Sequence, residues 1–389
     1  MRTAIIGAVF LCAGSLAVIT GILPWSVTLE LVARVLPILG FVVAITIVAE
    51  LAAAAGLFTF VAERLTIWAR GRTWVLWLLV VLLAVLSTVF LSLDTTAVLL
   101  TPVVVVMARH VGLSPLPFAL TTVWLANTAS LLLPVSNLTN LLAQGRLGVL
   151  LGDRVSPVEF ALLTGVPALV AIVVTVAAIY LVSRRALREP YVVAASTPVA
   201  NPVLFGTSAV TVVALIPALV SGIPVWIPAT EAALILIVIF LVLDRKTLRP
   251  GLVPWPLVLL ASGLFLVMAA LHEIGLGDLL DAVAGSGDDP LSLLRLAGAG
   301  LLGANAFDNL PAYLALEPIA GSPARLVALL IGVNVGPLIT PWASLATLLW
   351  HQRLTSLGVQ ISWRRYMLLG LVLAPVAVTL STLALAATV

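Results

Sequence analysis

The sequence predicts an all-α polytopic membrane protein built as an inverted repeat, with two re-entrant hairpins and two broken transmembrane helices. Three observations carry this. Of the 389 residues 62% are hydrophobic and only 9% charged, so a soluble fold would have too few polar residues to cover its surface. Apolar runs of about 20 residues, the length that crosses a hydrocarbon core about 30 Å thick, recur along the whole chain. Inside those runs, two stretches hold polar residues and helix breakers where lipid makes them costly. Those two stretches match each other when the chain is shifted by 207 residues.

The first stretch runs from Ser92 to Leu142 and the second from Asn334 to Leu349. On the shift, Asn127 falls on Asn334 and Pro134 on Pro341, while Asn137 and Asn140 land on Ser344 and Thr347. Matched leucines say little in so leucine-rich a chain; matched asparagine and proline say more. SLDTTAVLLTP, from Ser92, has its own echo in NAFDNLPAYLALEP, Asn305 to Pro318. The chain therefore divides into a first repeat (1–182), a connector (183–202) and a second repeat (203–389).

Taken in order, Thr3 to Leu23 is one span, retained because no small-residue cleavage site follows it. Val35 to about Phe60 is a second, with Glu50 inside it and the basic loop ERLTIWARGR after it. A hairpin covers 74–109, its two arms too short for full crossings and its tip near the bilayer middle. A helix interrupted between Asn127 and Asn140 covers 116–150, and Val158 to Val182 spans again. After the connector, with Ser196 to Pro202 at its core, spans follow at Val203 to Val220, Ile227 to Leu243 and Trp255 to Leu271. An acidic stretch (Asp278, Asp281, Asp288, Asp289), a hairpin (291–318), a broken helix (326–350) and a last span from Met367 to Ala387 complete the chain. The total is nine full spans and two hairpins.

Placing the amino terminus in the cytoplasm gathers 14 of the 19 basic residues on that side, leaving Arg34, Arg146, Arg154, Arg295 and Arg325 outside with the acidic stretch. Cytoplasmic loops collect Arg and Lys, so this is the expected orientation, with the carboxyl terminus external. It also sends the two hairpins in from opposite sides, as an inverted repeat requires. The pI near 9.5 thus reports membrane orientation rather than nucleic-acid binding.

A helix broken in lipid exposes N–H and C=O groups, which is tolerable where they line a cavity and meet a solute, ion or water. Pro134, Pro337 and Pro341 supply the breaks. Asn127, Ser136, Asn137, Asn140, Asn334, Thr340, Ser344 and Thr347 crowd around them with neutral donors and acceptors. Such groups also glue helices together, but two matched clusters in two halves favour a binding site for a small polar solute. Asp94 and Asp308, beside Thr95, Thr96 and Asn309, are carboxylates at membrane depth and read as functional. Glu50 is a coupling candidate. None of these clusters contains Arg or Lys, so a neutral polyhydroxy solute or a cation suits them better than an anion. A sole cysteine, Cys12, and three scattered histidines supply no metal site, and no cofactor is expected.

These residues resemble the arsenical-pump permeases, which export arsenite and antimonite, within the ion-transporter superfamily that also holds sodium-coupled dicarboxylate symporters. GPLITPWASLATLLWHQRL, from Gly336, resembles the family's G-P-x-I-T-P-x-G-S-L-A-T-L-L-W block. NTASLLLPVSNLTN, from Asn127, resembles its D-T-A-S-x-x-L-x-V-S-N-L-x-N block, and DNLP at Asp308 its N-N-L-P. The likeness runs from about Ile45 to the carboxyl end. It departs at Leu93-Asp94, where the family often has Asn-Asp, at Asn127 for Asp, at Asp308 for Asn and at Ala343 for Gly, and one amino-terminal span is missing. The resemblance implies export of arsenite and antimonite; arsenous acid is a neutral trihydroxy metalloid, and exchange with protons would use Asp94 and Asp308, carboxylates at membrane depth, as candidate proton carriers.

Two other readings compete. One is a permease of the same superfamily for another small ion or organic acid, sodium-coupled. The other is an intramembrane enzyme using Asp94 and Asp308 as an acid/base pair, which lacks the Gly-x-Gly-Asp of aspartyl intramembrane proteases and gives no reason for an inverted repeat. The expected partners are a small inorganic solute, a coupling ion (proton, or sodium), lipid and a second copy in a homodimer, all in a cell inner membrane.

Overall fold

The computed structural model describes residues 2–193, 198–277, 280 and 285–388, and among these it is all-helical apart from a single bridge between Arg72 and Pro190. Asp278, Asp281 and Ser196 lie outside the described residues. Helix α1 is Arg2–Ile19, α2 is Trp25–Ala54 and α3 is Leu57–Trp68. The first two are longer or placed earlier than hydropathy suggests: α2 begins ten residues before Val35 and carries Pro37 within it. The basic loop expected from Glu63 is largely the end of α3. Gly56, at φ 85°, turns the chain between α2 and α3, and Phe58, Ala62 and Leu65 then fall on one buried face at helical spacing.

The first hairpin is α4 (Thr73–Leu91) and α5 (Leu93–His110), the latter containing a π turn over Thr96–Leu100. Ser92 alone makes the turn, at φ 99°. That conformation costs a non-glycine residue on the order of 1–3 kcal/mol and concentrates at functional sites. Across the turn the Thr96 hydroxyl meets Thr88 (2.9 Å) and Ser87 (3.0 Å). The first broken helix is α6 (Leu116–Thr128) and α7 (Leu138–Leu151), followed by α8 (Pro157–Ser183).

The second half supplies α9 (Pro202–Val220), α10 (Trp226–Leu243) and α11 (Trp255–Glu273). The second hairpin is α12 (Pro290–Ala306) and α13 (Asn309–Leu316), and the second broken helix is α14 (Pro323–Val335) and α15 (Leu345–Ser356); α16 (Trp363–Ala386) ends the chain. Helices α6 and α14, and likewise α7 and α15, begin 207 residues apart, the same shift that aligns the sequences. Among the described residues eight helices, counting both arms of the first hairpin, are long and apolar enough to cross a membrane.

The first halves of the broken helices form the buried axis: every residue from Pro117 to Thr128 and from Ala324 to Val335 is buried. Small residues allow this, because packing between helices in lipid depends on close backbone approach. A Cβ on Gly332 would sit 2.3 Å from the Ala297 carbonyl oxygen, so α12 and α14 cross backbone to backbone. At the periphery α1 lies along α11, where a Cβ on Gly263 would meet the Leu11 nitrogen at 2.5 Å.

The loops sort onto two faces. The connector returns to the turn after α3, where Tyr191 donates its N–H to the Gly71 carbonyl (3.1 Å) and its hydroxyl to that of Thr66 (2.6 Å). Arg109 donates to the Leu357 carbonyl at 2.6 Å. Basic segments 63–72, 183–193, 109–113 and 351–358 are thereby tied together in pairs. On the opposite face Arg325 donates to the Gly285 (2.6 Å) and Gly287 (3.1 Å) carbonyls, and Arg34, Arg154, Gly222 and Trp226 line one recess.

Candidate functional site

The site begins with two breaks that leave backbone groups open inside an apolar body. In the first, the Asn140 side chain donates to the carbonyls of Ser130 (2.6 Å) and Leu133 (2.9 Å), and Ser136 donates to that of Val89 (3.0 Å). In the second, Asn305 at the end of α12 does the equivalent work. Its amide oxygen accepts from Ile339 N–H (3.2 Å) and Thr340 N–H (2.9 Å), and its nitrogen donates to the Gly336 carbonyl (2.9 Å). Thr340 and Trp342 donate to the Asn305 carbonyl at 2.8 and 2.9 Å. One hairpin residue thus replaces the missing helical turn. Asn305 was legible as the first residue of the echo NAFDNLP, but not as the brace of a break 30 residues on.

Asn334, at the end of α14, ties the two breaks together. Its oxygen accepts from Asn137 (3.0 Å) and Thr139 (2.8 Å), and its nitrogen donates to Asn140 (2.6 Å). The repeat partner Asn127 makes no such crossing. It donates to Val123 in its own helix (2.9 Å), and its buried oxygen has no hydrogen-bond partner. Ser344 and Thr347, the counterparts of Asn137 and Asn140, are also buried with unpartnered hydroxyls. The duplication therefore preserves backbone and breaks the side-chain symmetry.

Between the hairpin tips and the breaks lies a cavity with about 60 Å³ of free space for water-sized groups, lined by Ser92, Asp94, Asn137, Asp308, Asn309 and Ser344 together with Thr46 of α2 and apolar residues of α11. At about 15 Å³ per water-sized group, that is room for about four. Leu93, Leu138, Asn309 and Leu345, the first residues of α5, α7, α13 and α15, all line it. The amino ends of these helices carry partial positive charge toward the cavity, strongest for the longer ones. Two half-buried carboxylates answer them. Asp94 has no hydrogen bond among the described residues. Asp308 accepts from Leu310 N–H at 3.1 Å and lies beside the Leu345 amide. No Arg or Lys lines this cavity.

A larger recess of about 420 Å³ adjoins it through Thr46, Asp94, Leu257 and Leu345, and opens past Glu50, Thr95, Gln352 and Arg353 on the face of the basic loops. Of the residues singled out from sequence, Asp94, Asn137, Asp308, Asn309 and Ser344 line the cavity, while Glu50 and Thr95 line the recess. Thr96, Asn127, Ser136, Asn140, Asn334, Thr340 and Thr347 stand behind, bracing hairpin and breaks or buried without contact with the cavity. Ser92 and Thr46 were missed. Ser92, not Asp94, is the structural counterpart of Asp308, since each is the residue that caps the second arm of its hairpin. Thr46 carried no signal: it is a single hydroxyl in the apolar run between Pro37 and Glu50.

With this geometry in hand, likeness to known proteins is informative. The sequence model of the citrate transporter family, CitMHS, matches residues 2–347. The arsenical pump membrane protein of Escherichia coli K12 is 32% identical over 372 residues, covering 88% of this chain and 85% of the relative. That of Yersinia enterocolitica is 31% identical with the same coverage. The crystal structure of the YdaH transporter of Alcanivorax borkumensis superposes with a TM-score of 0.57 over 99% of this chain and 97% of that one, at 14% identity, a likeness of fold. The chain therefore belongs to the citrate transporter (CitMHS) family, alongside the arsenical pump membrane proteins, and is a membrane transporter rather than an enzyme.

Proposed function

We propose that this transporter exports arsenite and antimonite from the cell in exchange for protons, with Asp94 and Asp308 carrying the protons. The observation that supports it most is the lining of the small cavity: two carboxylates, neutral amides and hydroxyls, four helix amino ends and no fixed cation. Arsenous acid is uncharged at neutral pH and presents hydroxyls that these groups bind. Room for about four water-sized groups fits a metal centre with three hydroxyls and is small for a tricarboxylate. The relatives named arsenical pumps add to this reading. The two repeats, each a hairpin and a broken helix, work as inverted halves in a cell membrane, with the amino terminus cytoplasmic and the carboxyl terminus external. In that frame the recess at Glu50 and Arg353 opens to the cytoplasm, where an exporter loads.

The mechanism follows from charge. Carboxylates facing four helix amino ends in an apolar body can take up or give up protons with little change in their surroundings. With both deprotonated they accept from the solute's O–H groups, which Asn137, Asn309 and Ser344 orient; protonation removes those acceptors and releases the solute, so that solute and protons occupy the site in turn.

Everted vesicles with a defined proton gradient test the reading. Asp94→Asn and Asp308→Asn should each abolish proton-driven arsenite uptake while leaving insertion intact. Full uptake in both variants refutes the proton role. A second reading, an organic acid or other small ion moved with sodium, draws on the citrate-transporter family and on the same helix amino ends; sodium-driven citrate uptake with no arsenite uptake would favour it.

A further inference from the structure

Arg34 and Glu317 form an ion pair, and the central site does not use it. Arg34 belongs to α2, and Glu317 directly follows α13, the second arm of the second hairpin. Arg34 also donates to the Leu142 carbonyl of α7 at 3.4 Å. One guanidinium therefore joins three elements that each lead away from the cavity on the same side. Glu317 lies nine residues beyond Asp308, and Arg34 eight before Val42, which lines the cavity. At 1.5 Å per helical residue both are about 12–14 Å from the centre. The Tyr313 hydroxyl, buried one turn before Glu317, and Arg146 of α7 complete the group.

On the other side the cavity runs directly into the recess at Glu50. Glu317 is the costly member, since a carboxylate this buried must be paired, while Arg34 reaches it from the recess with its side chain 40% exposed. The position of the pair accounts for the cost better than stability does. We propose that the Arg34–Glu317 pair is a latch that fastens the second hairpin and α7 to α2 and keeps the cavity closed toward the face opposite the basic loops, and that it must part for the solute to leave. The latch rests on the reading that the chain opens its cavity alternately to its two faces. While the pair is made, α7 and α13 cannot separate from α2. When it parts, Glu317 keeps the Tyr313 hydroxyl beside it, and Arg34, already part-exposed, faces the recess.

The test uses the full chain with Cys12→Ser and a reporter, Leu138→Cys, at the cavity wall. A membrane-impermeant maleimide is added from the Arg34 face in vesicles of that orientation, and from the other face in everted ones. Glu317→Gln and Arg34→Gln should each label from the Arg34 face about fivefold faster or more than the parent, the low end for a coupled two-state element, with slower labelling from the other face. Combining Arg34→Glu with Glu317→Arg should restore the parent rates. If a neutral variant fails to insert, Glu317→Asp, which shortens the reach but keeps the charge, should move the rates in the same direction to a smaller extent. Unchanged rates in the variants that insert, or acceleration that the charge reversal does not correct, overturn the latch. Labelling reads access alone, so a chain that moves no arsenite still decides the question, and loss of the arsenite reading leaves this result standing.

Discussion

Replacing Asn334 by alanine removes the one side chain that joins the two breaks, and its cost can be worked from the structure. Three hydrogen bonds disappear, at 2.6, 2.8 and 3.0 Å. Between helices in a membrane such bonds average about 0.6 kcal/mol and reach about 1.7, so the direct loss is about 2 kcal/mol. Asn137 and Thr139 lose an acceptor and Asn140 a donor in a buried setting, which keeps the figure from being smaller. A difference of 2 kcal/mol is about a 30-fold change in the folding equilibrium. Asn127→Ala is the control. That side chain has the same identity, an equivalent sequence position and equal burial, but makes a single bond within its own helix, so its cost should be near 0.6 kcal/mol. Unfolding of the purified protein in detergent, followed by the fluorescence of its ten tryptophans, should place Asn334→Ala at least 1 kcal/mol below Asn127→Ala. A double-mutant cycle with Asn140→Ala should show coupling. Equal destabilisation by the two alanines, or additivity in the cycle, would refute the claim that the crossing is made from one half only.

Three further outcomes are expected. Asn305→Ala should cost about 2 kcal/mol by the same arithmetic, since four side-chain hydrogen bonds to the second break are lost, the longest at 3.4 Å, and should lower transport more than Asn127→Ala does; rescue by Asp, which keeps the acceptor for Ile339 and Thr340, should be partial. Single cysteines at Ala186 and Ser286, in a Cys12→Ser background, should label from opposite faces, the first from the side of the basic loops; labelling of both from one face refutes the assigned orientation. Asp289, which accepts from the Ser292 hydroxyl and from the Ser292 and Leu291 amides, is held below the usual carboxylate value by those bonds. A depressed pKa contributes stability above the ordinary value and loses it as pH falls through the folded-state value. Asp289→Asn should therefore melt below the parent at pH 7, and the two curves should converge in acid; a gap unchanged down to pH 2 excludes this cap.

The repeat was legible because it is a linear pattern. Pro134 over Pro341 and Asn127 over Asn334 lie at one shift, and the helix starts at Leu116 and Pro323 obey it. The hairpins were legible because charged residues stand out in apolar sequence, as Asp94 and Asp308 do. What escaped depends on contacts across the fold. Asn334 and Asn127 are indistinguishable by spacing, and only packing decides which crosses. Arg34 and Glu317 read as separate charges near helix ends until α2 and α13 are side by side. The helix over Leu57–Trp68 was hidden by its charges, because loop composition outweighed the three-residue apolar stripe that buries it.

The two recesses reach toward the centre from opposite faces, and Leu141 lines both the central cavity and the wider recess of about 780 Å³ beside Arg34. If water fills each recess, the voltage across the membrane does not fall evenly through the protein. It falls across the thin septum at the hairpin tips. A proton passing between Asp94 or Asp308 and the far recess then travels a short way and yet performs most of the electrical work, about 2.3 kcal/mol for each 100 mV. Under the proposed proton exchange, small displacements of the hairpins thereby become electrogenic, and voltage acts on the same few side chains that are proposed to hold the solute.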